Sequence, residues 1–357
     1  MRVPEMGLMV VGGEGISSLA TRAIRVIKAE VGLASNNRSL IHDPEYFEGA
    51  PHPVMMAGEG YLIQGQWANF QLHPADYRPP PSLDGYFTIL DYGDAKPHVS
   101  ISGDTVTAVG DWSKLEATTS DKRYSLLGNQ GLLFRFILTL LERRHGVYNF
   151  HACALYHEDE DRMLVALGER GSGKSALMLA ALDRGLFKLF GTEIVHVAVT
   201  DEGVTFYKGT LRNNARVGHL IYDFPRVADA IGVKFSKLED PWGTKVQVNL
   251  ERYGTKSDVI VDPEIIFVIP RIEEDSRVCR FGEIRERRRV VRPLLENLCD
   301  KITSLALIYE NVPVGSLDDP YLMRRRLEFV EKLMSKGRNI RTLSLFASPH
   351  NCLEGWL

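Results

Sequence analysis

RMLVALGERGSGKSALMLAALDRG, residues Arg162–Gly185, decides how the rest of the chain is read. The apolar run Met163 to Leu167 has the length and composition of a buried strand. It breaks at Gly168, and Ala176–Leu182 then supplies helix formers up to a stop at Gly185. Between them lies Gly168-Glu169-Arg170-Gly171-Ser172-Gly173-Lys174-Ser175, a G-x-x-x-x-G-K-[ST] loop in its required strand–loop–helix setting. Each residue type has a physical reason. Gly168, Gly171 and Gly173 let backbone N–H groups converge on phosphate without a Cβ in the way. The helix start at Lys174, Ser175 and Ala176 adds unpaired amides and a positive dipole end, with Ser172 inside the turn. Lys174 brings a cation to the β/γ-phosphates, and the Ser175 hydroxyl can join a Mg²⁺ shell. The stretch predicts binding of a nucleotide polyphosphate.

Working outward, 357 residues are enough for two domains, and 44% hydrophobic with 25% charged residues is an ordinary globular balance. A net charge of −3 gives no general attraction to nucleic acid or anionic membrane, so a nucleic-acid partner is not expected. Cys153, Cys279, Cys299 and Cys352 are scattered with no C-x-x-C pair, which favours reduced thiols and a cytoplasmic setting. No apolar run nears the roughly 20 residues of a membrane span, and glycines at 12, 13 and 15 interrupt any signal-peptide core.

Upstream, Gly7–Val11 reads as a strand and Ile16–Val31 as a helix, joined by Gly12-Gly13-Glu14-Gly15. That turn lacks a lysine and a dinucleotide fingerprint, so it reads as a tight connection. Asn36–Pro81 is irregular apart from a short strand at Tyr61–Ile63, and ends in Pro79-Pro80-Pro81. Tyr86–Leu90 and Thr105–Val109 read as strands, Asp91 and Asp94 as turn formers, and Leu126–Arg143 as a helix with a broad apolar face across the junction of two halves. Downstream, Tyr148–Tyr156 reads as one strand. Leu186–Phe190, a hairpin of Ile194–Thr200 with Val204–Tyr207, then Val246–Leu250, Val259–Val261 and Ile265–Ile269 follow, the last closed by Pro270. Helices over Val290–Tyr309 and Leu322–Lys336 and a polar tail complete the chain. Strands dominate before Pro270 and helices after it, which suits a mixed sheet.

The segment from His151 to about Leu220 resembles the catalytic core of the HPr kinase/phosphorylase family, whose fold is akin to phosphoenolpyruvate carboxykinase. The likeness rests on His151-Ala152 before the loop strand, on the loop GERGSGKS, and on Leu182-Asp183-Arg184-Gly185 ahead of a strand ending in a polar pair. It implies an α/β chain with a mixed-sheet P-loop kinase core, read here over residues 146–357; residues 1–145 match no family and read as an N-terminal α+β domain, with the acceptor pocket expected in the cleft between the two. It also implies ATP or another phosphate donor, Mg²⁺, and a small-molecule or protein hydroxyl as acceptor, with assembly into a homo-oligomer. In the family the polar pair is usually two aspartates serving metal and base; here it is Thr192-Glu193. Three outcomes stay open. Glu193 does both jobs, or His151 takes the base role, or transfer activity is lost.

Arg212 and Arg216, in a basic loop over Lys208–Arg216, can meet phosphate. The arginines at 285, 287, 288, 289 and 292 read as a solvated surface or an anion site, and His196 as a structural strand residue. A rival from another class is an NTP-hydrolysing or sensing module. In that reading Asp262, at the end of Val259-Ile260-Val261, holds the metal, and no alcohol is phosphorylated. A silent nucleotide-binding scaffold is the third reading.

Overall fold

The computed structural model describes residues 6–12, 62–64, 68–71, 85–91, 93–128, 130–233, 238–273 and 277–355. The protein is a mixed α/β molecule of two compact units. The first runs to Val147 and takes up Lys301–Met323 again; the second holds Tyr148–Asp300 and the chain from Arg324. An expected boundary near residue 145 does not describe that return. The glycine turn 13–15, the helix expected over Ile16–Val31 and most of the irregular 36–81 stretch lie outside the described residues.

In the first unit, β1 (Met6–Gly12), β2 (Leu62–Gln64), β3 (Ala68–Gln71), β4 (Gly85–Asp91), β5 (His98–Ser102) and β6 (Thr105–Gly110) form one sheet, ordered β2-β3-β1-β4-β6-β5. Its central neighbours β3, β1, β4 and β6 are parallel, which needs crossovers, and the edge strands β2 and β5 are antiparallel, so the sheet is mixed. Helix α1 (Trp112–Thr118) was not foreseen; Asp111 caps it by accepting from the Lys114 N–H at 3.1 Å. Helix α2 (Leu132–His145) starts six residues later than its apolar pattern suggests. Ser125–Gly131 folds back as a turn, and a Cβ at Gly131 would sit 1.9 Å from the Ser125 carbonyl. Gly146, at φ 63°, ends the helix.

In the second unit, the strand expected over Tyr148–Tyr156 is two strands in different sheets. β7 (Tyr148–Phe150) and β8 (Cys153–His157) part at His151-Ala152. β9 (Arg162–Ala166) leads through the glycine loop to α3 (Lys174–Arg184), which Gly185 stops at φ 71°. Then come β10 (Lys188–Gly191), the hairpin β11 (Val195–Thr200) and β12 (Gly203–Tyr207), and β13 (Arg212–Arg216), where a loop was expected. Helix α4 (Pro225–Ala230), β14 (Lys245–Asn249), β15 (Val259–Val261), β16 (Glu264–Ile272), β17 (Arg280–Glu283) and α5 (Arg287–Thr303) follow. The short ladder β18 (Leu307–Ile308) with β19 (Val312–Pro313) belongs to the first unit. After α6 (Pro320–Lys336), the supposed polar tail is β20 (Arg338–Ala347), a ten-residue strand.

A six-stranded sheet, β10-β8-β9-β16-β20-β17, carries the loop; β9, β16 and β20 are parallel and the outer strands antiparallel. Alternate residues of β9 and β16 serve two cores. Leu164, Ala166, Ile266 and Val268 face α3. Met163, Val165, Ile265 and Phe267 face the antiparallel sheet β15-β12-β11-β7 together with α5 and α6. Pro270 does not end β16. Beyond Val268 the strand pairs with β20 alone, and the Ile272 N–H, on the same side as the missing proline N–H, meets the Ser172 carbonyl at 3.1 Å. Among the described residues no helix is long and apolar enough to cross a membrane.

Candidate active site

The glycine loop leaves β9 as the Leu167 N–H donates to the Val268 carbonyl at 2.8 Å. Gly168, Gly171 and Gly173 sit at φ 139°, 91° and 97°, a region L side chains rarely adopt. Space forbids a side chain at two of them. A Cβ on Gly168 would come within 2.8 Å of Ser172 Oγ, and one on Gly173 within 2.4 Å of the Ile272 side chain. Lys174 Nζ folds over the loop, donating to the carbonyls of Gly168 and, at 3.1 Å, Glu169. Helix geometry leaves the first-turn amides of Lys174, Ser175 and Ala176 without intrahelical acceptors. Ser172 Oγ is buried with no hydrogen-bond partner, a polar atom waiting on something the chain does not supply.

His151 occupies the break between β7 and β8, where the chain steps from one sheet to the other. Its Nε2 lies 3.3 Å from Glu193 Oε2, and its Nδ1 contacts Asp300 Oδ2. Its carbonyl accepts from Asn297 Nδ2 at 2.8 Å, so α5 grips the residue twice. The exposures run 27% for Glu193, 14% for His151 and 48% for Asp300, so the ring is the most shielded member and Asp300 the one nearest solvent. Under this corner lies Cys153. Burial pushes its thiol pKa up, Glu193 pushes it further, and Lys174 pulls it down; carboxylate and loop lysine act on the same buried sulfur.

Thr192 has a different task from its neighbour. Its hydroxyl donates to the carbonyls of Thr210, at 3.1 Å, and Arg212, while its N–H donates to Thr210 at 2.9 Å. Gly209 makes this clasp feasible, since a Cβ there would fall 1.8 Å from the Ile194 carbonyl. The clasp fixes the loop that presents Glu193. It also brings the start of β13, and with it exposed Arg212, to the same corner. Arg216, four residues on, is held by the Trp242 carbonyl at 2.6 Å. His196 is fully buried with Nδ1 2.7 Å from Asn149 Oδ1, a structural pair.

Asp262 lies at the end of the sheet opposite the glycine loop, just before Glu264, which pairs with Arg162 at the start of β9. β15 lies at the edge of the antiparallel sheet, and Asp262 turns back on the hairpin, its N–H donating to the Val204 carbonyl at 2.7 Å. Of the arginines over 285–292, Arg285 pairs with Glu283, Arg287 with Glu331, Arg288 with Glu286 and Arg292 with Glu296, which makes a solvated ion-pair surface. Asp94 is a left-handed turn residue at φ 63°. Sequence reasoning missed Asp300 and Asn297. Their signal was an i, i+3 polar pair on a helix whose nearby Leu294 and Leu298 are core residues. No family model matches the chain, and no curated protein matches it.

Proposed function

We propose that the second unit is a phosphotransferase of the HPr kinase and phosphoenolpyruvate carboxykinase type, moving a phosphoryl group from ATP to a hydroxyl. Phosphoryl transfer asks a protein for position and charge neutralisation more than covalent chemistry. The loop amides from Gly171 to Ala176, the Ser172 hydroxyl and Lys174 would hold the donor's phosphates, with Arg212 at the margin. Among the described residues no group of three or more His, Cys, Asp or Glu could hold a metal by itself. Mg²⁺ fits such a sparse set, because it takes one or two protein oxygens and fills its shell with phosphate and water. Ser175 and Glu193 would be those oxygens.

The observation that carries the reading is the contact of His151 Nε2 with Glu193 Oε2 at 3.3 Å, beside the buried Cys153, whose thiol feels both Glu193 and the loop's Lys174. A loop that merely binds nucleotide has no need of an acid–imidazole pair at that corner. Glu193 would take the proton of an incoming hydroxyl, with His151, held by Asp300, beside it. The acceptor is a small alcohol or a hydroxyl of a peptide. The hydrolase alternative has less support, since Asp262 follows β15, bonds the Val204 carbonyl of β12 and lies at the other end of β9 from the glycine loop.

The test is incubation with γ-labelled ATP and a cytosolic extract, separating free phosphate, small molecules and protein. Label on an organic acceptor, lost with Lys174→Ala and Glu193→Gln, is the expected result. Label only in free phosphate, unchanged by Glu193→Gln, would overturn the transferase reading.

A further inference from the structure

We propose that the exposed face of the β13–β14 ribbon is a docking strip for an acidic, extended polypeptide, which brings its serine to Glu193 as the acceptor. The serine's role rests on the transferase reading above; the docking itself does not. Strand alternation and register define the strip. Arg212, Asn214 and Arg216 are exposed on β13, while Asn213 and Ala215 between them are buried. The antiparallel register sets exposed Asn249 opposite Arg212, Gln247 opposite Asn214 and Lys245 opposite Arg216. Directly opposite residues share a face, so three cations and three amides line the strip with no acid among them. One end adjoins the candidate site, because the Arg212 carbonyl accepts from the hydroxyl of Thr192, the neighbour of Glu193. At the other end the Arg216 guanidinium donates to the Trp242 carbonyl at 2.6 Å, and the Trp242 ring stacks on exposed Tyr222. Arginine and exposed aromatics are residue types that dominate binding at protein interfaces.

Charge names the partner. Among the described residues neither Arg212 nor Arg216 meets a carboxylate, whereas Arg285, Arg287, Arg288 and Arg292 are each paired with a glutamate. Asp240, ahead of β14, is occupied in its own turn, accepting from the Gly243 N–H at 2.8 Å. Guanidinium forks and an ammonium recruit carboxylates, and the amides of Asn214, Gln247 and Asn249 can bond a peptide backbone. Arg212 and Arg216 lie four residues apart on one face, about 13 Å at roughly 3.3 Å per residue. Two acids four residues apart on an extended peptide match that spacing. Nucleic acid fits less well: three cations neutralise few phosphates, and a net charge of −3 adds no general attraction. In the transfer, the serine Oγ bonds the γ-phosphorus of ATP, the bond to the β–γ bridging oxygen breaks, ADP leaves, and the serine proton passes to Glu193.

The strip is tested by fluorescence anisotropy of the whole chain with a fluorescein-labelled peptide holding one serine and two glutamates four residues apart, without ATP. Saturable binding is expected, weakening as salt rises and weaker by at least about threefold when glutamines replace the glutamates. Arg216→Glu and Lys245→Glu, on opposite strands and both at exposed positions, should each weaken binding by about threefold to tenfold. Each should also tighten binding of the same peptide carrying lysines for glutamates, a gain that a misfolded variant would not show. Equal affinity for the glutamate and glutamine peptides, or no change in either variant, would overturn the proposal, as would tighter binding of a short DNA duplex than of the peptide. Adding γ-labelled ATP separates this proposal from the reading beneath it. Peptide bound through the strip but never labelled would sink the transferase and leave the docking; a labelled small alcohol with no peptide binding would do the reverse.

Discussion

Two clusters in the second unit join imidazole to carboxylate, and they are built in opposite proportions. At one, His151 lies between Glu193 and Asp300, two acids about one ring. At the other, Asp223 lies between His219, at 2.6 Å, and His350, at 3.3 Å, two rings about one acid. The second cluster is walled by aromatics. Trp242 meets the His219 ring edge-on at 5.2 Å and stacks on Tyr222, and the π-turn His219–Asp223 closes as Phe224 N–H donates to the His219 carbonyl at 2.8 Å. Nothing there resembles a phosphate cradle. The first cluster stands where the chain changes sheets, beside a loop whose lysine donates to the Gly168 and Glu169 carbonyls and whose Ser172 hydroxyl has no hydrogen-bond partner. The same two side-chain chemistries thus serve packing at one place and readiness for a ligand at the other. What separates them is which polar atoms are left over.

The largest break in that contrast comes from the loop itself. Lys174→Ala should lower phosphoryl transfer by at least about 10³-fold, since the cation faces charge on the transferring group. Labelled-product assays measure it, and retention of a tenth of the activity would detach the loop from the chemistry. Exchanging acids across the two clusters sharpens the contrast next. Glu193→Gln should cut turnover roughly 10²- to 10⁴-fold, the range of a lost general base, while equilibrium nucleotide binding holds. Asp223→Asn should leave turnover alone and lower stability by about 1–3 kcal/mol, as the carboxylate charge and one of its two acceptor oxygens are lost to the histidines. Denaturant titration beside the kinetic assay reads both; a reversed pattern would mean the clusters have been assigned the wrong way round. Asp300→Asn is milder. The amide still contacts the ring but holds it less firmly, so a fall of about tenfold in turnover with unchanged nucleotide KM is expected.

How much of this the sequence disclosed depends on the range of the interactions. The loop, its strand and its helix were legible because glycine at positive φ and a following run of helix formers are local requirements. Glu193 and His151 were legible as candidates through resemblance. Their contact was not, because it depends on the chain leaving one sheet at Phe150 and entering another at Cys153, and the apolar run 148–156 gives no sign of that step. Asp300 was invisible for a plainer reason: its partner is 149 residues away in sequence. β20 was hidden by composition. It opens on Arg338-Asn339, and its alternation of Thr342, Leu343, Ser344 and Leu345 becomes a strand signal only once two cores are known to flank it. Pro270 misled because a proline forbids a ladder bond only on one side, and on that side β16 has no strand beyond Val268.

The smallest expected effect concerns the acid that a motif search would choose first. Asp262 ends an apolar strand, as a metal-holding acid of a hydrolase does, yet its setting is that of a hairpin brace. Its φ is 51°, a left-handed value that Asp tolerates better than most residues. A Cβ on Gly203 would lie 2.4 Å from its Oδ1, so the carboxyl is packed against the turn, and that oxygen has no hydrogen-bond partner. Asn keeps the shape, tolerates the same backbone and removes a charge from a place where one carboxyl oxygen is unsatisfied. Asp262→Asn should therefore leave phosphoryl transfer within about twofold and stability within roughly 0.5 kcal/mol, the scale of substitutions that touch no network. Parallel assays of label transfer and thermal unfolding read it. A loss of turnover approaching that of Glu193→Gln would move the metal to Asp262 and return the hydrolase reading, because no strain or packing change of this size could otherwise reach the loop.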